Sequence, residues 1–331
     1  MCRLFALHAD APVTARFWLL DAPYSLAEQS KFNADGTGIG WFGDDGTPQV
    51  RKRPVAAYSS PRYARVASEL RSRVMIAHVR NSSGTSNQLR NTHPFLARGV
   101  MFAHNGVVRV NDEMRERVAA LGTTDVIEGE TDSEWLFALV LGEAARAVAD
   151  GVVSDGAGAD GAEVEAIDPE ALERGLVAAI SWVLANVPVY SLNVVVACGE
   201  HLFALRLPET NELWVRDRPA GGRRGDGLHQ SSDTLTAESE DLRRIRSVVV
   251  ASEPMDDSDQ WRLLDSGELL HVSPGGRVVS TSPFCAPAFP LGIEDLGLSE
   301  ASSQAHAAEV AARAARRGEK AAEQIGRPAN V

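Results

Sequence analysis

The chain is predicted to fold as an α+β protein in layers, with helices packed over sheets. Apolar runs of strand length dominate both ends of the sequence, and long amphipathic helices separate them, which favours helices over sheets rather than a doubly wound sheet.

Residues 3–7 read as a short buried strand, and Thr37 to Phe42 as a second, entered through the glycines at 36, 38 and 40. Pro61 sits where a first-turn proline belongs, so 61–71 reads as a helix. Val74 to His78 and Val100 to His104 are two further apolar runs. The clearest helix spans Asp132 to Asp150: Trp135, Leu136, Leu139, Val140, Ala147 and Val148 recur every three or four residues, with Thr131 or Asp132 as cap. The Gly-, Ala- and Asp-rich stretch 151–168 is expected as a solvated loop before a second helix over Pro169–Leu184. Strands resume at Asn193–Cys198, His201–Leu207, Val248–Ala251 and Leu269–Val272. Between Arg218 and Glu240, glycines and serines replace apolar residues, and a mobile insertion is expected. One domain over 2–282 is therefore expected, followed by a Pro/Ala-rich charged tail over 283–331, either helical or disordered.

Composition narrows the function. At 331 residues and 44% hydrophobic, the chain can bury one large core or two modest ones. A formal net charge of −12 argues against a nucleic acid or an anionic membrane as partner, leaving a small soluble metabolite. Cys2, Cys198 and Cys285 show no short C-x-x-C spacing, so neither a disulfide framework nor a metal site is expected, and no cofactor is called for. With no signal-type N-terminus and no apolar run of membrane-spanning length, a soluble cytoplasmic protein is expected.

Cys2 is the residue that points to chemistry. Once Met1 is removed, thiol and free α-amine share one residue, and an amine titrating at about 7.7–8.0 can take the proton of a thiol of about 8.5. Asn105-Gly106, at a turn after a buried strand, offers a side-chain amide and a backbone N–H to one oxyanion, although Asn-Gly between apolar runs is also a hairpin signal. Arg80, at a strand end, suits a carboxylate, with Ser83 as an additional hydroxyl donor; the alternative is a surface charge. Asp132 is either a helix cap or the counter-charge to a substrate ammonium. His93 and His104 allow a Cys–His dyad but read more readily as structural. The glycine-rich stretch from Asn33 to Trp41 lacks a following Lys-Ser/Thr and opens no helix, so it is not a phosphate loop.

Taken in order, Met1-Cys2-Arg3, Asn33-Ala34-Asp35-Gly36, Ala77-His78-Val79-Arg80, Asn91-Thr92-His93-Pro94-Phe95, His104-Asn105-Gly106 and Thr131-Asp132-Ser133-Glu134 resemble the class II glutamine amidotransferases, which are N-terminal-nucleophile hydrolases. The likeness is strongest to the stand-alone YafJ-like branch, related to EgtC and the fungal glutathione-degrading amidotransferase, and runs to about residue 280. It implies a four-layer αββα sandwich, Cys2 as nucleophile, Asn105 and Gly106 as oxyanion hole, and Arg80 and Asp132 on the α-carboxylate and α-amine. The expected activity is hydrolysis of a γ-glutamyl amide, either glutamine or a conjugate of a small amine. The alternatives are a γ-glutamyl hydrolase of ergothioneine-type thiol metabolism and a weakly catalytic γ-glutamyl-binding subunit of a partner synthetase; a separate ammonia-accepting synthetase is the partner an amidotransferase role would call for.

Overall fold

The computed structural model describes residues 2–155, 167–220, 229–231, 236–238 and 240–304. Much of the loop expected at 151–168, most of the 218–240 insertion and the tail from 305 onward lie outside the described residues.

The chain opens in β1 (Arg3–Val13), longer than predicted because Ala9 and Val13 continue the buried pattern. Helix α1 (Leu26–Gln29) precedes a hairpin of β2 (Gly36–Phe42) and β3 (Pro48–Arg53); β3 is an edge strand whose charged residues hid it from an apolar-run reading. Helix α2 (Pro61–Glu69) begins at its first-turn proline, with Ser60 Oγ accepting from Tyr63 N at 3.2 Å. Then come β4 (Ser72–Arg80), β5 (Phe95–Ala97) and β6 (Val100–Val108). Helices α3 (Asp112–Ala120), α4 (Asp132–Asp155) and α5 (Pro169–Asn186) follow, α4 running on to Asp155 where a loop was expected. The remainder is β7 (Val189–Cys198), β8 (His201–Arg206), β9 (Trp214–Arg218), the small hairpin β10 (His229–Ser231) and β11 (Thr236–Glu238), and α6 (Glu240–Arg244). After these come β12 (Ser247–Ala251), β13 (Arg262–Leu263), β14 (Glu268–Ser273) and β15 (Arg277–Thr281).

Besides the β10-β11 hairpin, the described strands form two large antiparallel sheets, in the orders β13-β9-β12-β1-β4-β2-β3 and β15-β14-β8-β7-β6-β5. Alternation along each strand decides the layers. Leu4 and Ala6 of β1 face Met101 and Ala103 of β6 and Val195 and Ala197 of β7, so the sheets pack face to face. Phe5, Leu7 and Ala9 point the other way, onto Trp18, Leu26 and Tyr63 in the first helical layer. On the far side, Phe102, Val194 and Val196 pack under α4 and α5. The order is helix, sheet, sheet, helix, which is the predicted αββα sandwich. Because both sheets are covered on both faces, their central strands carry continuous apolar runs.

Gly38 belongs to the inter-sheet seam. A Cβ there would stand 2.1 Å from His93 O, and one at Gly40 would stand 2.7 Å from Met101 Sδ, so this stretch is glycine-rich to let the second sheet approach. Gly38→Ala is expected to destabilise the fold by about 1–3 kcal/mol through overpacking. Urea unfolding reads this as a lower midpoint at an unchanged slope, and an unshifted midpoint would mean that the His93 loop yields.

Candidate active site

Cys2 lies just before the central strand of the first sheet, half-buried, with Arg3 in register with Val79 of β4. Its Sγ accepts from Asn81 N at 3.3 Å and reaches Asn81 O at 3.4 Å. Burial pushes the thiol above its ordinary pKa, while the Asn81 N–H and the Arg80 charge pull it down. The resting thiol is therefore protonated at neutral pH, and ionising it requires a base.

Arg80 ends β4 and is 4% exposed. Its fork does not stand free. Nη1 donates to Asn87 Oδ1 at 2.9 Å and Ser86 O at 3.2 Å, and Nη2 to Thr85 Oγ1 at 2.5 Å and to Ser82 Oγ and Thr85 O at 3.2 Å. Every one of these acceptors is neutral, so the guanidinium organises the 82–87 turn while its charge remains on the cavity wall. Asp35 braces the same turn from behind, accepting from Ser82 N at 2.7 Å and Asn87 Nδ2 at 2.9 Å.

The start of α4 separates two roles that the sequence left merged. Thr131 is the cap: Thr131 Oγ1 accepts from Glu134 N at 3.3 Å, and Glu134 Oε2 accepts from Thr131 N at 3.3 Å, a capping box. Asp132 is the first helical residue, and its carboxylate accepts from Val108 N and Ser133 N, each at 2.9 Å. No cation forms an ion pair with it among the described residues, and the helix N-terminus stabilises its charge. Ser133 Oγ also lies 2.9 Å from His104 Nδ1, whose Nε2 lies 3.3 Å from Ser191 O, so the ring bridges α4 and β7 with Nε2 as donor.

Asn105 and Gly106 do not form the expected turn. They sit inside β6, paired with Asn193 and Leu192 of β7, because the strand continues to Val108. Gly106 is needed for proximity: a Cβ would lie 1.9 Å from Ser191 O. On its other edge, β6 is covered by β5 only from Val100 to Phe102, so the strand past that point is open toward the cavity. Asn105 is 1% exposed, yet neither Nδ2 nor Oδ1 has a hydrogen-bond partner, a costly arrangement unless a ligand supplies one.

His93 and His78 are buried, their rings tilted by 45° with centroids 4.3 Å apart, and neither ring nitrogen of His93 has a hydrogen-bond partner. Burial holds His78 at about 3 and pushes His93 well below its ordinary value; it lowers His104 too, against the pull of Asp132. A neutral imidazole of such low basicity is a poor acceptor for a thiol whose pKa burial has raised.

One cavity of about 50 Å3 is lined by Cys2, Arg80, Ser83, Asn105, Gly106 and Asp132, all six site residues read from the sequence, together with Ser303 and Gln304. Asp35, Asn87 and Glu134 were missed as supports, although the Thr131-x-x-Glu134 spacing is a capping-box signal; Ser303 and Gln304 carried no local signal. A wider cavity of about 480 Å3 lies against α2, lined by Arg51, Arg53, Arg62 and Leu89 among others, with no cysteine in its lining. No group of three or more metal-type ligands occurs among the described residues, and no helix there is long and apolar enough to cross a membrane.

A family model described as "Glutamine amidotransferases class-II" matches residues 1–288. The gamma-glutamyl-hercynylcysteine sulfoxide hydrolase of Mycobacterium tuberculosis H37Rv is 28% identical over 286 residues, covering 83% of this chain and 94% of that one. Among solved structures, a protein described as a predicted glutamine amidotransferase from Pseudomonas aeruginosa PA01 superposes with TM-score 0.53 at 22% identity, covering 85% of this chain and 100% of that one. The glutamine phosphoribosylpyrophosphate amidotransferase of B. subtilis gives TM-score 0.53 at 15% identity, covering 85% and 49%. These structural likenesses establish the shared fold.

The buried histidines make stability depend on pH. With His78 held at about 3, the unfolded chain binds a proton between pH 6.5 and 3 that the folded chain does not, so stability is intact above that window and falls as pH drops through it. The slope is at most about 1.4 kcal/mol per pH unit for each such histidine. The urea midpoint is expected to fall between pH 7 and 5, and to fall less in His78→Gln; parallel falls would mean that His78 does not contribute.

Proposed function

The chain belongs to the class II glutamine amidotransferases, and from that premise we propose that it hydrolyses the γ-glutamyl amide of a small amine conjugate through a thioester on Cys2. The observation that carries this reading is the cavity: a thiol, a buried cation at Arg80, a carboxylate at Asp132 that has no ion-pair partner among the described residues and an orphaned amide at Asn105 meet around one small space. An amino-acid head group with its reactive carbonyl at the far end complements that set.

Each step then has a group. With Met1 removed, the α-amine of Cys2 takes the thiol proton as sulfur adds to the γ-carbonyl carbon. Asn105 Nδ2 and the Gly106 N–H receive the oxyanion. The C–N bond breaks, the leaving amine takes the proton back, and the thioester remains. Water adds to the thioester with the same amine as base, the C–S bond breaks, and glutamate leaves. Arg80 faces the α-carboxylate with Ser83 beside it, and Asp132 faces the α-ammonium. Arg80 acts through its charge and through the turn it organises.

A conjugate is favoured over glutamine by the mycobacterial relative, whose name is that of a γ-glutamyl hydrolase and whose length is nearly all matched. We place the enzyme in the cytoplasm, a reducing compartment that keeps Cys2, Cys198 and Cys285 as thiols. Glutamine hydrolysis feeding a separate synthetase is the alternative reading.

Purified enzyme is expected to release glutamate from γ-glutamyl amides, Cys2→Ala to release none, and at least one conjugate to exceed glutamine in kcat/KM. If glutamine gives the highest value across the panel, the partner synthetase becomes the better reading.

The base is tested at the amine. An uncleavable extension before Cys2 is expected to cost about 10²–10⁴ in rate, the usual range for general-base catalysis, while His93→Gln retains more activity. Labelling by a diazoketone analogue of glutamine reports whether the extended protein still admits ligand. An extended enzyme that labels and turns over normally rules out the α-amine.

A further inference from the structure

Two residues on the cavity wall, Ser303 and Gln304, lie beyond residue 288, where the family match ends. A helical turn over 298–304 brings them there. Residues at i, i+3 and i+4 share a helix face, so Glu300, Ser303 and Gln304 point together. Glu300 is gripped by Arg109, Nη1 to Oε1 and Nη2 to Oε2, each at 2.7 Å, and Arg109 Nη2 also reaches Asp295 O at 3.1 Å. Arg109 directly follows Val108, the residue whose N–H holds the Asp132 carboxylate. Leu296 adds an apolar anchor against Val107 and Tyr190.

Gln304 is 6% exposed and tied into a buried polar chain. Its Oε1 accepts from Asn211 Nδ2 at 3.4 Å; Asn211 Nδ2 also donates to Ser191 Oγ at 2.9 Å; Ser191 Oγ donates to Asn105 O at 3.3 Å. The segment is thus fastened at the Asp132 end of the cavity and to the backbone of the strand that carries Asn105.

We propose that residues 289–304 form a cap of this chain's own over the substrate cavity, and that Gln304 is its specificity-determining residue, admitting a γ-glutamyl head with an unsubstituted α-amine and excluding one bearing bulk on that nitrogen. The inference rests on the reading that Asp132 faces the α-ammonium. A free ammonium needs no room past Asp132, whereas a substituent on it meets Ser303 and Gln304. The exclusion is steric, and two fixed points hold it in place: the doubly hydrogen-bonded Arg109–Glu300 pair and the Asn211 contact.

The test uses the full chain with γ-glutamyl-p-nitroanilide and its Nα-benzyl derivative, which keeps the ammonium charge and exchanges one N–H for a bulky group. Gln304→Ala is expected to raise the benzyl-to-parent ratio of kcat/KM by about tenfold or more, the scale on which a pocket rejects a misfit group. Glu300→Gln, which loosens the cap without touching the cavity, is expected to raise the ratio less. In both variants, alkylation of Cys2 by iodoacetamide, followed on the N-terminal peptide, is expected to be faster than in the wild type. Turnover of the parent with an unchanged ratio in both variants overturns the cap. No γ-glutamyl turnover in any form, with faster Cys2 alkylation in both variants, overturns the hydrolase reading and leaves the cap as the barrier over Cys2.

Discussion

β1 is hydrogen-bonded along both edges, to Ser247–Ala251 on one side and Ser72–Arg80 on the other. Chain termini fray unless they are tied down, and this one is tied at its first residues. Leu4 N donates to Ser252 Oγ at 2.9 Å, Ser252 N donates to Leu4 O at 3.1 Å, and Arg3 pairs with Glu253 at 3.5 Å. The Ser252-Glu253 segment thereby delivers Cys2 to a set point beside Asn81 and Arg80. A side chain so near the start of the chain is positioned by the strand that follows it, and β1 lies inside the first sheet.

The sandwich then brings the remaining groups to the same place. Cys2 and Arg80 come from the ends of adjacent strands in one sheet, Asn105 and Gly106 from a strand of the other, and Asp132 from the first turn of the helix covering that second sheet. The inter-sheet layer around Leu4, Ile76, Met101 and Ala103 sets their separation. Close packing at Gly38 and Gly40 leaves no room for a methyl group, so the sheets cannot drift apart without losing contacts.

One physical cause, burial, has opposite effects on the two kinds of titratable group at the site. It raises the Cys2 thiol and lowers His78, His93 and His104. A dyad built from these partners would work against itself, since forming thiolate and imidazolium together is what burial opposes. The same dry surroundings strengthen the contacts that remain, the Arg80 charge and the Asn105 amide among them. The unpartnered Asn105 and His93 are therefore a cost in stability concentrated at the cavity, the usual relation between a site and its scaffold.

Much of this protein was legible in its sequence. Period and composition located the buried central strands and the two long helices because strands covered on both faces must be apolar throughout, as Val74 to Ala77 are. The ordered motifs identified the family, and Cys2 and the five further site residues read from the sequence all line one cavity. Some features stayed hidden for identifiable reasons. Edge strand β3 is charged because an edge faces solvent, and Asn105-Gly106 imitates a hairpin because a glycine required by the close Ser191 carbonyl looks the same as one required by a turn. Residue identity determined which chemistry the chain carries: a thiol next to the terminus, a cation, a carboxylate and an amide. Only the tertiary structure decided that Thr131 rather than Asp132 caps the helix, that the Arg80 fork is spent on its own loop, and that Gln304 closes the cavity, because each depends on which distant backbone groups fill a side chain's hydrogen-bonding capacity, and local sequence does not encode those distances.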